Sequence, residues 1–223
     1  MVETKTKTIL MVDEHDILYR SGTERVLTPF TRHAANPVVP AREHPWEVAI
    51  GWTSIYRDAE TGKYQLWYQS YTGDRLSERT HDCAVCYAEP DDGIHFEKPM
   101  FDLFPFENHT KTNIVLIGNG GYSYRYGNAV VVDLAAEDES QRYKMSYFDW
   151  TPSGGREYPG LCVAFSPDGI EWTKHPIGPL SRMAYGSGVF GGPLPFTDDA
   201  SEPWLIPLSM SDAVDCLWDP VRQ

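Results

Sequence analysis

The chain has 223 residues and a formal net charge of −13, from 19 basic and 32 acidic side chains. No basic run interrupts that excess, so neither a nucleic acid nor an anionic membrane surface would meet the positive stripe it needs. No apolar stretch approaches the ~20 residues of a membrane helix; neutral or cationic partners remain open, and carbohydrate is the natural neutral class.

The N-terminus opens onto Ile9-Leu-Met-Val12. This run is too short for a signal h-region and lacks a small-residue cleavage site. As it stands the chain reads as cytoplasmic, or as secreted or periplasmic if a leader has been removed. Ile9–Val39 reads as a strand, a turn at Ser21-Gly22 and a second strand-like piece ending at Asn36-Pro37. We take residues 1–45 as a lead-in that packs outside or closes a ring, and 46–223 as the repeating part.

The repeat is visible in the residues. Tyr64-Gln-Leu-Trp-Tyr68, Val85-Cys-Tyr-Ala88 and Asp92-Gly-Ile-His-Phe-Glu-Lys98 return as Tyr143-Lys-Met-Ser-Tyr147, Leu161-Cys-Val-Ala164 and Asp168-Gly-Ile-Glu-Trp-Thr-Lys174. Such a period, longer than a hairpin and shorter than a domain, marks a repeat architecture. Aromatic and β-branched residues punctuated by Asp-Gly make each unit a small β-meander. The first copy is expected to hold strands at Trp52–Arg57, Lys63–Tyr71, Cys83–Glu89 and His95–Lys98. The second is expected to hold them at Asn128–Asp133, Arg142–Asp149, Leu161–Phe165 and Glu171–Lys174. A third begins at Asp215-Cys-Leu-Trp-Asp-Pro220, and the chain stops at Gln223.

Four antiparallel strands per repeat is the blade of a β-propeller. The fold class is therefore all-β, with this chain supplying about half of a ring. A raw strand edge is an aggregation hazard, so the chain is expected to be a truncated product, or to complete its ring as an oligomer or with a second polypeptide.

Up-and-down connectivity sorts the loops. Asp58, Asp133 and Asp219 follow the first strands at the bottom face, as do the Asp-Gly turns, and read as turn formers. The top face carries the loops 72–82, 150–160, 99–127 and 175–213. There the starts of the inner strands hold Glu47, with His44 and Trp46 beside it, Arg125 with Asn128, and Asp212 with Asp215; Asp149 ends a second strand nearby. Carboxylates converging on a funnel are what glycosidic cleavage requires, one acid protonating the leaving oxygen and a second activating water or attacking carbon. Glu47, Asp212 and Asp215 are the candidate acids; Arg125, Asn128, His44, Trp46 and Asp149 are the candidate sugar contacts. The alternatives are a sugar-binding or scaffold propeller without turnover, or a truncated inactive fragment.

Cys83 and Cys86 form C-x-x-C, but strand residues three apart face opposite sides, so these read as structural thiols. The four cysteines, Cys162 and Cys216 included, show no disulfide framework. No cofactor is expected, and the scattered histidines lack metal-ligand spacing. Hard oxygen ligands leave little local signature, which leaves room for a structural calcium ion.

The blade motifs, with Ala164-Phe-Ser-Pro-Asp-Gly-Ile-Glu-Trp-Thr173, resemble those of the five-bladed propeller superfamily of glycoside hydrolase families 32, 43 and 68. The family-32-like branch is the most similar. The resemblance implies five blades, a carbohydrate substrate and acids in the central funnel. Where family 32 has W-M-N-D-P-N-G, this chain has Trp46-Glu-Val-Ala-Ile-Gly51. R-D-P is reduced to Arg125-Tyr-Gly127, and E-C is echoed by Asp215-Cys216.

Overall fold

The computed structural model describes residues 19, 21–24, 26–73, 83–90, 92–118, 125–153, 156–176, 180–182 and 216, with backbone alone at 125–126, 150–153, 156–159 and 181–182. The chain divides into two compact units, Met1–Asn36 and Pro37–Gln223. In the first, Gly22 takes the left-handed φ of 66° that a turn at Ser21-Gly22 requires. The strand-like piece expected before Asn36-Pro37 has no ladder partner among the described residues and is irregular. Pro29 also removes a donor that a ladder would need. The strand expected from Ile9 lies outside the described residues.

The second unit is all-β, with one 3₁₀ turn at Glu139–Gln141 among the described residues. Its first antiparallel sheet has the order β1 (Ala49–Arg57), β2 (Tyr64–Tyr71), β3 (Cys83–Ala88), β4 (Ile114–Ile117). The second has β5 (Arg125–Val132), β6 (Tyr143–Ser153) and β7 (Arg156–Ser166), with β8 (Thr173–Lys174) and β9 (Ser181–Arg182) both paired to β7.

The repeat seen in the sequence is a repeat of hydrogen-bond register. Tyr68 pairs with Cys86, and Tyr147 with Cys162. Each first strand carries one bulge, whose extra residue is left-handed: Trp52 at φ 35° and Gly127 at φ 55°. Bulges of this kind bend the strand and re-aim the side chains beside them.

The fourth strand differs from expectation. Of His95–Lys98 only Glu97 pairs, with Glu89, and the rest of the strand is β4, inside the stretch 99–127 read as loop. The second sheet does the same: Phe165 pairs with Thr173, then Leu161 with Ser181. In both copies a proline, Pro99 or Pro176, follows the first half. Proline cannot donate to the ladder and expels the chain from it. The expected loop 150–160 is likewise mostly strand, since the β6–β7 ladder runs on to Ser153 and Arg156. Trp150, Thr151 and Tyr158 favour strand, and Gly154-Gly155 separates the two strands in sequence.

The sheets pack face to face. Trp67, Val85, Tyr87, Val115 and Leu116 of the first meet Met145, Tyr147, Cys162 and Ala164 of the second in one core. Ser54 Oγ accepts from Val130 N at 2.9 Å, tying β1 to β5. The indole of Trp67 donates to Gly169 O of the second Asp-Gly turn at 2.6 Å. The other face of the first sheet, with Leu66, Tyr68, Ala84, Cys86 and Ile114, is covered by Trp46 and by Val39, Phe96, Phe104 and Phe106. With both faces covered, β3 is buried throughout. Cys86 faces this second core while Cys83 accepts from Gln69 Nε2 at 3.4 Å. None of the four cysteines forms a disulfide. On the second sheet, Cys216 Sγ lies 2.7 Å from Ser146 Oγ. Ser146 alternates with Met145 and Tyr147, so this contact is on the face turned away from the first sheet.

Candidate functional site

The candidates whose side chains are described fall into two groups, on opposite faces of β2. The first is built around Glu47, just before β1, where Val48 N–H donates to Tyr71 O at 2.9 Å. Glu47 has no solvent exposure. Tyr68 OH donates to its Oε1 at 2.5 Å and Lys98 Nζ to its Oε2 at 2.7 Å. Lys98, with a side chain 6% exposed, also reaches Glu43 at 2.7 Å and donates to Pro40 O at 3.2 Å. Asn113 completes the network: its Nδ2 donates to Tyr68 OH at 2.7 Å, and its Oδ1 accepts from Trp46 Nε1 at 2.8 Å. Burial, with the Cys86 and Glu47 acids nearby, pushes the Tyr68 phenol far above its ordinary pKa, so it remains a proton donor.

The same network fixes the aromatic candidates. His44 stacks on Trp46 with ring centroids 4.7 Å apart, and His109 and Phe106 meet the indole edge-on at 5.4 and 6.0 Å. Trp46 is 1% exposed, so its ring presents no open face. Lys98 and Asn113 were not read as site residues from the sequence. They stand at the two ends of the excursion 99–113, and nothing in the chain marks them as partners of Glu47 before the fold closes.

The second group lies between the sheets. Asp149 is fully buried, and Arg125 sits opposite it in the β5–β6 ladder. Asn128, opposite Tyr147, is also buried. Its Nδ2 donates to Trp67 O at 3.2 Å, while its Oδ1 has no hydrogen-bond partner among the described residues. Next to it, Gly127 N–H leaves the ladder and donates to Gln69 Oε1 at 2.9 Å. Asp212 and Asp215 lie outside the described residues.

At the opposite end of the strands is a cleft of about 580 Å³, lined by Tyr64, Tyr87, Glu89, Asp92, His95 and Tyr143 among others. Gln65 spans it, with Nε2 donating to Tyr87 OH at 3.2 Å and Oε1 accepting from Tyr143 OH at 2.9 Å. Nothing in the amino-acid order marks this cleft, because its walls come from both sheets. Of the bottom-face acids, Asp58 and Asp133 are bound into turns, as expected, and Asp219 lies outside the described residues. Asp58 accepts from Thr61 N–H at 2.6 Å, and Asp133 accepts from Ala135 N–H at 3.1 Å. The backbone N–H of Thr61 holds the Asp58 carboxyl below its ordinary pKa, and that of His95, with the imidazole, does the same for Asp92.

Among the described residues no group of three or more His, Cys, Asp or Glu side chains could hold a metal ion. No helix there is long and apolar enough to cross a membrane.

No family model matches the chain, and no curated protein is similar to it at a meaningful level. Among solved structures the chain is similar to a glycosyl hydrolase from Bacteroides ovatus, with 23% identity and a TM-score of 0.43. That similarity covers 65% of this chain and 39% of the solved one.

Proposed function

We propose that the chain is part of a five-bladed, carbohydrate-active β-propeller that hydrolyses glycosidic bonds. The observation that carries the reading is the duplicated blade: one strand order, one bulge, one Asp-Gly turn and one split fourth strand, twice. Repeats that cannot bury their own faces stack on their neighbours. The Cys216 contact on the outer face of the second sheet supports a third unit stacked there. In such a stack the first strands line one axis, and the upper end of β5 brings Arg125 and Asn128 towards it, with Asp149 of β6 paired opposite Arg125.

In this proposal Asp212 and Asp215 divide the acid and nucleophile or base roles. Glu47, with both oxygens engaged and no exposure, serves as a fixed anion that holds Tyr68 and Lys98. The test is a screen of aryl glycosides and plant or algal oligosaccharides with wild type, Asp212→Asn and Asp215→Asn. A loss of ~100-fold or more in rate is expected for a group that transfers the proton. Turnover unchanged in both variants would remove them from the mechanism.

A second reading, sugar binding without turnover, is favoured by one observation. The acid best placed by its chain position, Glu47, is already neutralised by Lys98. Saturable binding of an oligosaccharide with no released sugar would select it.

A further inference from the structure

We infer that Asn128 Oδ1 is the acceptor that fixes one hydroxyl of the bound sugar, an assignment that rests on the carbohydrate reading above. The amide has a determined orientation. Its Nδ2 donates to Trp67 O, and the reversed amide would set carbonyl against carbonyl. The remaining oxygen is buried and without a partner among the described residues. Leaving such an acceptor unpaired costs about 1–3 kcal/mol, and folded proteins retain few of them.

The surroundings point to what would pair with it. The left-handed bulge at Gly127 opens the β5–β6 ladder next to Asn128, and the freed Gly127 N–H is taken by Gln69. On the same face of the second sheet stands the buried Asp149. An unpaired acceptor asks for a donor. An ionised carboxylate or a doubly ionised phosphate ester has no proton to give it, whereas a neutral polyol has several. The matching position after the bulge in the first sheet is Thr53, which is exposed. The buried amide is therefore not part of the repeated framework.

The experiment titrates wild type and Asn128→Leu calorimetrically with the methyl glycosides of glucose, mannose, galactose, xylose, arabinose and fructose. Mono-deoxy analogues of whichever binds follow. Wild type should prefer the parent over one deoxy analogue by roughly tenfold, the worth of one good hydrogen bond. Asn128→Leu should bind both equally weakly, and its ligand-free melting temperature should fall by no more than about 4 °C, the worth of the single Nδ2 bond to Trp67 O that it removes. Two results would overturn the assignment. One is discrimination retained in Asn128→Leu. The other is a fall of more than about 4 °C in its melting temperature, or outright failure to fold, because a donor from the chain itself would then be using Oδ1. If wild type binds none of the glycosides, the carbohydrate reading falls and takes this assignment with it. Retained discrimination sinks the assignment alone.

Discussion

The two sheets are built alike up to the middle of their fourth strands and then part company. In the first sheet the chain leaves after Lys98, makes the long excursion 99–113 and returns as β4; in the second it leaves after Lys174 and is back at Ser181. The long excursion brings Lys98 and Asn113 to Glu47, Tyr68 and Trp46 and lays Phe104 and Phe106 over the outer face. The short one adds nothing comparable among the described residues. The framework is what the repeat specifies, and the two sheets diverge where the fourth strand is interrupted.

The largest effect that would test this difference comes from two lysine–carboxylate pairs of equal length. Lys98–Glu47 and Lys144–Asp133 are both 2.7 Å, but the first is buried while the Lys144 side chain is 36% exposed. Lys98→Met leaves an uncompensated charge inside the protein and should cost about 3–5 kcal/mol in urea unfolding. Lys144→Met should cost about 0.2–1 kcal/mol. Equal costs would mean that the excursion does not isolate Glu47 from water.

Next come the paired turn glycines. Gly169 and Gly93 both take a positive φ, 82° and 75°. A Cβ on Gly169 would stand 2.6 Å from the Trp67 ring, whereas one on Gly93 would stand 3.3 Å from Tyr64. Gly169→Ala should lose about 2–3 kcal/mol from strain and overpacking together, and Gly93→Ala about 1 kcal/mol. A reversed order would contradict the packing of the second turn against the first sheet.

The acid side should not distinguish the sheets. Asp58 and Asp92 in the first, and Asp133 and Asp138 in the second, are all held below the ordinary carboxylate pKa. The donors are Thr61 and His95 N–H, Lys144 and the Ser140 hydroxyl respectively. A depressed folded pKa contributes stability above the unfolded value and loses it as pH falls through the folded one. Melting temperatures should therefore be flat above pH ~5 and decline below pH ~4, as a single transition. Two separate acid transitions would show sheets that unfold independently.

The smallest effect concerns the bulges. Trp52 holds the left-handed position that Gly127 fills in the second sheet, and its ring is 6.4 Å from that of Tyr71. Trp52→Gly relieves strain and loses ring packing, so its stability should stay within about 1 kcal/mol of wild type. A loss beyond ~2 kcal/mol would mean that the indole, rather than the bulge, organises this end of β1.

Much of the fold was legible. Strands β1 to β3 and β5 to β7 stand where the aromatic and β-branched runs put them, and the turn role of Asp58 and Asp133 follows from side chains short enough to reach their own backbone. Strand four was misplaced because Ile114–Ile117 belongs to its sheet only through pairing with Ala84–Cys86, across the whole excursion. Glu47 and Asn128 could be singled out as candidates by residue type and place, but their hydrogen-bond partners could not.

The amino-acid order by itself determined a doubled, all-β design, because period-two patterning, Asp-Gly turns and prolines act over a few residues. Tertiary structure alone decided that Glu47 meets Lys98, that Trp67 leans on Gly169 and that Asn128 keeps one oxygen unpaired among the described residues. These outcomes depend on which distant strands close over which atoms, and burial and hydrogen-bond competition are set only when the sheets pack.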